Sequence, residues 1–178
     1  MGRSRYKIFE NEYPYFITST TIEWLPLFGI KELAQIIIDS LNFLIKEQRI
    51  DVFGWVMMEN HIHLRALSTN LSKEMNNFKS FTARKIIDYL IEHDYQKILN
   101  NLKLFKLKYR IDRTYQLWQE GIHPVQIFNS DILRQKLEYI HLNPVRKGYV
   151  EEPKEWRYSS AVDYAGKKGL VSINMDWF

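Results

Sequence analysis

The chain has 178 residues, of which 46% are hydrophobic, 15% aromatic and 26% charged, a composition that suits one folded domain and excludes disordered or collagen-like classes. Its 25 Lys and Arg against 21 Asp and Glu give a net charge of +4 and a pI near 9.1, a mildly basic balance compatible with a nucleic-acid partner. The absence of cysteine excludes disulfides, thiolate zinc sites and cysteine nucleophiles, so a metal would have to be held by His, Asn, Gln, Asp or Glu.

In chain order, residues 13–24 ("YPYFITSTTIEW") are rich in β-branched and aromatic types and read as a first strand, followed by turn punctuation in "LPLFG". From Lys31 to about Glu47, Leu33, Ile36, Ile37, Ser40, Leu41 and Leu44 recur at three-and-four spacing, which predicts an amphipathic helix. "IDVFGWVMM" and "HIHLRAL" are apolar runs separated by Glu59 and Asn60, and predict two antiparallel strands joined by a tight turn. A second helix is expected from Leu71 or Ser72, with Ser72 as its N-cap and Met75, Phe78, Thr82, Ile86 and Leu90 along its inner side. The basic and aromatic segment 92–113 has no assignable pattern. "YQLWQEG" and "HPVQIF" suggest a further strand or irregular hairpin. A third helix, capped by Ser130 or Asp131, is expected to stop at Asn143, because Pro144 disfavours helical geometry before it. The last stretch reads as loop with one short helical turn.

This order of strand, helix, strand, strand, helix, strand and a further helix is the pattern of an α+β, ferredoxin-like split βαβ sheet with helices on one face. A single domain over 1–178 is expected, with a basic arm over about residues 1–12 and a tail from about 150. No run reaches the roughly 18 to 20 apolar residues of a membrane span, and the first residues lack the apolar core and cleavage site of a secretory signal, so a cytoplasmic location is expected.

Chemistry concentrates in "WVMMENHIHLRA". In a strand, residues two apart face the same way, so His61 and His63 project together. They either chelate one divalent cation or are half-buried imidazoles satisfied by hydrogen bonds. On the third helix Tyr139 and Asn143, four apart, share a face with Ile132 and Gln135, while Leu133, Leu137 and Ile140 form the apolar stripe for the sheet. Tyr139 is either a nucleophile or a partly buried aromatic. Asn143 is either a third, carboxamide metal ligand or simply a residue that ends a helix before proline.

Taken together, "WVMMENHIHLRA", the helix "KLEYIHLNPVRKGYV" some 75 residues later and the following "EWRYSSAVDY" resemble the single-tyrosine HUH transposases of the IS200-like type, most closely the REP-associated tyrosine transposases. The resemblance runs from the first strand to "SSAVDY". It implies a single-stranded DNA endonuclease and strand transferase that cleaves beside an imperfect DNA hairpin through a 5′-phosphotyrosine. By the same resemblance His61, His63 and Asn143 are metal ligands for Mg²⁺ or Mn²⁺, and Tyr139 is the nucleophile. One departure stands out: the family commonly has proline where this chain has Glu59, which either alters the turn or approaches the metal. DNA contacts are expected from Arg3, Arg5 and Lys7 on the N-terminal arm, from Arg65 on the metal strand, and from Lys79, Arg84 and Lys85 on the second helix. Trp118, Trp156 and Tyr158 are either base-stacking or core aromatics. The assembly is expected to be a monomer or a homodimer. Two other readings remain open: a module of the same fold that grips hairpin DNA without cutting it, and a phosphodiesterase that works through activated water.

Overall fold

The computed structural model describes residue 8 and residues 12–175; Arg3, Arg5 and Lys7 lie outside the described residues. Strand β1 (Tyr15–Thr20) is followed by two 3₁₀ turns, helix α1 (Lys31–Lys46), strands β2 (Asp51–Met57) and β3 (His61–Leu67), and helix α2 (Leu71–Glu92). Then come α3 (Gln96–Leu104), the short strand β4 (Val125–Gln126), α4 (Ser130–Arg146) and the single turn α5 (Ala161–Tyr164). The sheet order is β2-β3-β1-β4, with every pair antiparallel, which is the split βαβ topology expected from the sequence. No helix among the described residues is long and apolar enough to cross a membrane.

Alternation along the strands sorts the side chains between two faces. Ile17 of β1, Trp55 and Met57 of β2, and Ile62, Leu64 and Ala66 of β3 join Leu33, Ile37, Leu41, Met75, Phe78, Ile86 and Leu90 in the large core beneath α1 and α2. Helix α4 takes the other face. There Phe16, Val56, Met58, Ile127, Leu133 and Ile140 form a second, smaller cluster. The placement of helices on one face therefore holds for α1 and α2, and α4 adds a third layer.

A β-bulge lets both faces close. The register between β2 and β3 shifts between Val52 and Gly54, so Val52 and Trp55 both face the large core while Gly54 and Val56 face α4. A Cβ on Gly54 would sit 2.8 Å from Leu137 Cδ1 and 3.9 Å from Ile140 Cδ1, so the missing side chain is where α4 seats itself on the sheet.

Several boundaries differ from the sequence expectation. The first strand stops at Thr20 because residues 22–29 turn away in 3₁₀ geometry. Asn70, not Ser72, caps α2, its side chain accepting from the Lys73 amide. Asn129, not Ser130 or Asp131, caps α4, accepting from the Ile132 amide at 2.9 Å. Pro144 lies inside α4 rather than ending it. The proline removes one amide donor, but the helix runs on to Arg146 and closes at Gly148, whose φ of 72° allows the final turn: Gly148 N donates to Val145 O (2.8 Å) and Tyr149 N to Pro144 O (3.0 Å). Part of the unassigned basic segment is helical, as α3.

The 117–122 stretch runs beside β1 through Ile22 N to Leu117 O, Gln119 N to Thr20 O and Thr18 N to Ile122 O. The tail covers the outer edge of β2: Met57 N donates to Tyr158 O, Ser160 N to Trp55 O and Asn174 N to Val52 O. Such cover satisfies backbone groups that would otherwise form an exposed sheet edge.

Substituting Gly54→Val should overpack the α4 seat and lower stability by about 1–3 kcal/mol. Urea unfolding measures the loss; a variant as stable as the parent would show that α4 does not depend on this close approach.

Candidate active site

The α4 face of β3 carries His61, His63 and Arg65 in succession, opposite Thr20, Thr18 and Phe16 of β1. The turn before them is short: Met58 N donates to His61 O at 2.9 Å, leaving Glu59 and Asn60 at its tip. The two imidazole rings lie 4.7 Å apart between centroids. Tyr139 of α4 comes down on the same face, its ring 5.4 Å from His63 and 5.8 Å from Phe16, and Phe16 stacks on His63 at 5.1 Å. Tyr139 is nevertheless 39% exposed. Residues far apart in sequence are thus brought together by docking α4 on the bulged sheet.

A hydrogen bond fixes the His61 tautomer. Asn60 Nδ2 donates to Trp24 O at 3.3 Å, so its Oδ1 is the acceptor that His61 Nδ1–H meets at 2.6 Å. His63 Nδ1 lies 2.8 Å from Thr18 Oγ1, a hydroxyl able to accept from it or donate to it. His61 Nε2 therefore keeps its lone pair, and His63 Nε2 does so in the tautomer in which Thr18 accepts. Burial drives the pKa of both imidazoles down, that of His63 to about 3 with help from His61 and Lys136. At His61 the Glu59 carboxylate works against burial, and Lys147 works with it. Neutral imidazoles with Nδ1 tied by hydrogen bonds and Nε2 open are what a divalent cation requires of histidine ligands.

Asn143 is buried, one turn from Tyr139, and its Nδ2 donates to Tyr139 O at 3.0 Å. That bond uses the amide nitrogen and leaves Oδ1 as the ligand-capable atom. Asn143 lies on α4 between Tyr139, whose ring meets His63, and Lys147, whose charge acts on His61. Among the described residues no three or more His, Asp or Glu side chains converge as a metal-holding group. A third protein ligand would therefore be a carboxamide, and Asn143 fits that role chemically. Glu59 instead ties the end of α4 to the His turn, its Oε1 accepting from the Tyr149 hydroxyl at 2.8 Å, while its buried Oε2 has no hydrogen-bond partner.

The expected DNA contacts fare unevenly. Arg65 is only 2% exposed, its guanidinium 5.4 Å from the centroid of the Phe53 ring and beside Tyr164; it is a buried cation, not a surface contact. Lys79 is spent on structure, its ammonium donating to Gln119 O (2.7 Å) and Gly121 O (2.6 Å), and burial lowers its pKa to about 8. Arg84 and Lys85 are exposed but sit on α2, across the sheet from the imidazoles. Trp118 is buried with Nε1 donating to Thr82 Oγ1, and Trp156 Nε1 donates to Met57 O, so both are structural. The cations near Tyr139 are instead Lys136, 6.0 Å from its ring centroid, and Arg146, at 5.5 Å. Their spacing on α4, one and two helical turns from Tyr139, was the available signal.

The comparisons with known proteins follow the same line. No family model matches the chain. Its fold is that of a solved REP-associated tyrosine transposase bound to a REP hairpin: the match covers 100% of this chain and 95% of that one, at TM-score 0.67 and 17% identity. In sequence the chain is 30% identical over 104 residues to a candidate REP-associated tyrosine transposase of Haemophilus influenzae, which covers 58% of this chain. The chain spans about half, 54%, of that relative's length. A candidate transposase of Deinococcus radiodurans is also similar, at TM-score 0.45 and 15% identity over 78% of this chain and 94% of that one. The similarity to REP-associated tyrosine transposases read from the motifs is thus met again in both fold and sequence.

The buried histidines make stability pH-dependent. His63 and His141 have folded pKa values lowered to about 3 and about 4 from 6.5, and for both the main cause is burial. The unfolded chain therefore takes up their protons first, and their contribution is fully present above pH 6.5 and lost as pH falls toward the folded values. Urea unfolding at two pH values, one above and one below this unfolded value, should show stability falling by up to about 1.4 kcal/mol per pH unit for each histidine. A flat profile would contradict the buried neutral state.

Proposed function

We propose that this chain is a metal-dependent single-stranded DNA endonuclease and strand transferase that cuts beside a DNA hairpin and holds the strand as a 5′-phosphotyrosine on Tyr139. The observation that carries the reading is the meeting of a surface-reaching tyrosine with two adjacent imidazoles that burial keeps neutral and that are each tied through Nδ1. The similarity in fold to a transposase bound to a REP hairpin supports a hairpin-bearing DNA substrate.

The chain's own residues define the step. Tyr139 Oη attacks the scissile phosphorus in line, the new bond joining phosphorus to the phenolic oxygen as the bond to the 3′ oxygen breaks. The phenol proton is lost, and the departing 3′ oxygen gains one. Because one phosphodiester replaces another, bond energy is retained and a different 3′-hydroxyl can reverse the step to join strands. A divalent cation, Mg²⁺ or Mn²⁺, held by His61, His63 and Asn143 would supply Lewis-acid polarisation of a non-bridging phosphate oxygen. Thr18 and Asn60 keep the two Nε2 atoms presented. Lys136, Arg146 and Lys147 place positive charge around Tyr139 and His61, where the phosphate backbone must pass.

Incubating the protein with labelled hairpin DNA bearing single-stranded flanks, with Mn²⁺ or EDTA, tests the reading on a denaturing gel. The expected result is metal-dependent cleavage that leaves the downstream fragment linked to the protein through its 5′-phosphate and frees the upstream fragment with a 3′-hydroxyl, with the adduct reduced below detection in Tyr139→Phe. Cleavage that survives the substitution would indicate attack by water, and tight binding without cleavage would indicate a binding module.

Replacing Thr18 by Val should weaken Mn²⁺ binding about ten-fold or more by removing the group that orients His63. Isothermal titration measures it; unchanged affinity would argue that His63 is not a ligand through Nε2.

A further inference from the structure

Trp24 stands apart among the described tryptophans. It is 56% exposed, yet its backbone is fastened by a hydrogen bond to the His turn. Residues 23 and 24 both adopt left-handed backbone geometry, with φ of 47° at Glu23 and 55° at Trp24, a conformation that bulky L residues seldom take. Their neighbours fasten the turn: Thr21 N donates to Asn60 O (2.9 Å), and the Thr21 hydroxyl lies 2.8 Å from Leu25 O and 3.0 Å from Asn60 O. Asn60 Nδ2 reaches Trp24 O. Asn60 is also the residue that fixes the His61 tautomer, so one carboxamide bonds both the imidazole and the Trp24 backbone. The indole stands edge-on to His61, with centroids 5.9 Å apart and planes at 76°.

Strain of this kind persists only where the surrounding structure over-determines it, and it gathers at functional sites. Here the flanking Ile22, Leu27 and Phe28 are buried, while the strained residue presents its ring to solvent beside the His61 imidazole. We propose that Trp24 is a stacking platform for one unpaired base of the DNA strand next to the scissile phosphate. The assignment rests on the DNA-processing reading above and adds a specific subsite to it. An indole face suits any base, because stacking uses the π surface and not the hydrogen-bonding edge. The platform therefore holds a nucleotide in place without selecting its identity. It is a positioning residue: it sets where the strand lies relative to Tyr139 and makes no bond to the reacting atoms.

The test uses the full chain in a Tyr139→Phe background, so that binding is read without cleavage, with hairpin DNA carrying single-stranded flanks. Fluorescence anisotropy compares this background with added Trp24→Ala or Trp24→Phe, on intact DNA and on a series with one abasic residue moved along the flank. Trp24→Ala should bind intact DNA about ten-fold more weakly. Trp24→Phe should recover part of the loss, and a single abasic position should abolish the difference between the background protein and its Trp24→Ala derivative. Equal affinities of these two proteins for intact DNA, while the unsubstituted chain still forms its Tyr139 adduct, would overturn the platform and leave the proposed activity standing. A loss that no abasic position removes would also overturn it. Absence of any DNA binding by the parent would overturn both.

Discussion

The structure depends on α4 lying flat against the second face of the sheet. That face bears His61, His63, Arg65, Thr18 and Thr20, polar groups that would ordinarily face water on a two-layer α+β fold. Its apolar share is small, chiefly Phe16, Val56, Met58, Ile127, Leu133 and Ile140. Burying side chains of that size contributes about 1.5–3 kcal/mol each, and the close approach at Gly54 makes the contact possible. Without α4 the imidazoles would be exposed, Tyr139 would be distant, and Asn143 would have no site to join.

The same docking explains why the polar groups tolerate burial. Each is given a specific partner: Thr18 for His63, Asn60 for His61, Ser160 for His141 at 2.9 Å, Tyr149 for Glu59. Buried polar groups are costly when unpaired, so such a network also specifies one arrangement of the helix over the sheet. Exceptions are Arg65, with Nε and Nη1 unpartnered under the Phe53 ring, and Glu59, whose Oε2 has no hydrogen-bond partner.

Much of this was legible in the sequence. Period-two and three-and-four patterns located β2, β3, α1, α2 and α4, and the order of elements led to the sheet topology. The His pair and the Tyr139–Asn143 face followed from strand and helix geometry alone. What escaped notice depended on tertiary contacts. Pro144 could not be seen to lie inside α4, where the chain keeps helical geometry past Asn143 to Arg146 before closing at the Gly148 turn. Arg65 and Lys79 look like surface cations in one dimension and are buried or tethered in three. Trp24 seemed to be the end of a strand, since nothing local shows that Asn60, 36 positions later, bends the chain there. The face taken by α4 required the bulge at Gly54, which a regular alternation cannot reveal.

The central proposal is that α4, docked on the sheet, brings Tyr139 and Asn143 to a divalent cation held by His61 and His63. Anomalous diffraction from crystals of the protein grown with Mn²⁺ tests it most directly. The account predicts one strong peak within bonding distance of Nε2 of both histidines and of Asn143 Oδ1, with the Tyr139 phenol facing it. A peak elsewhere, or none at these histidines at saturating Mn²⁺, would contradict it.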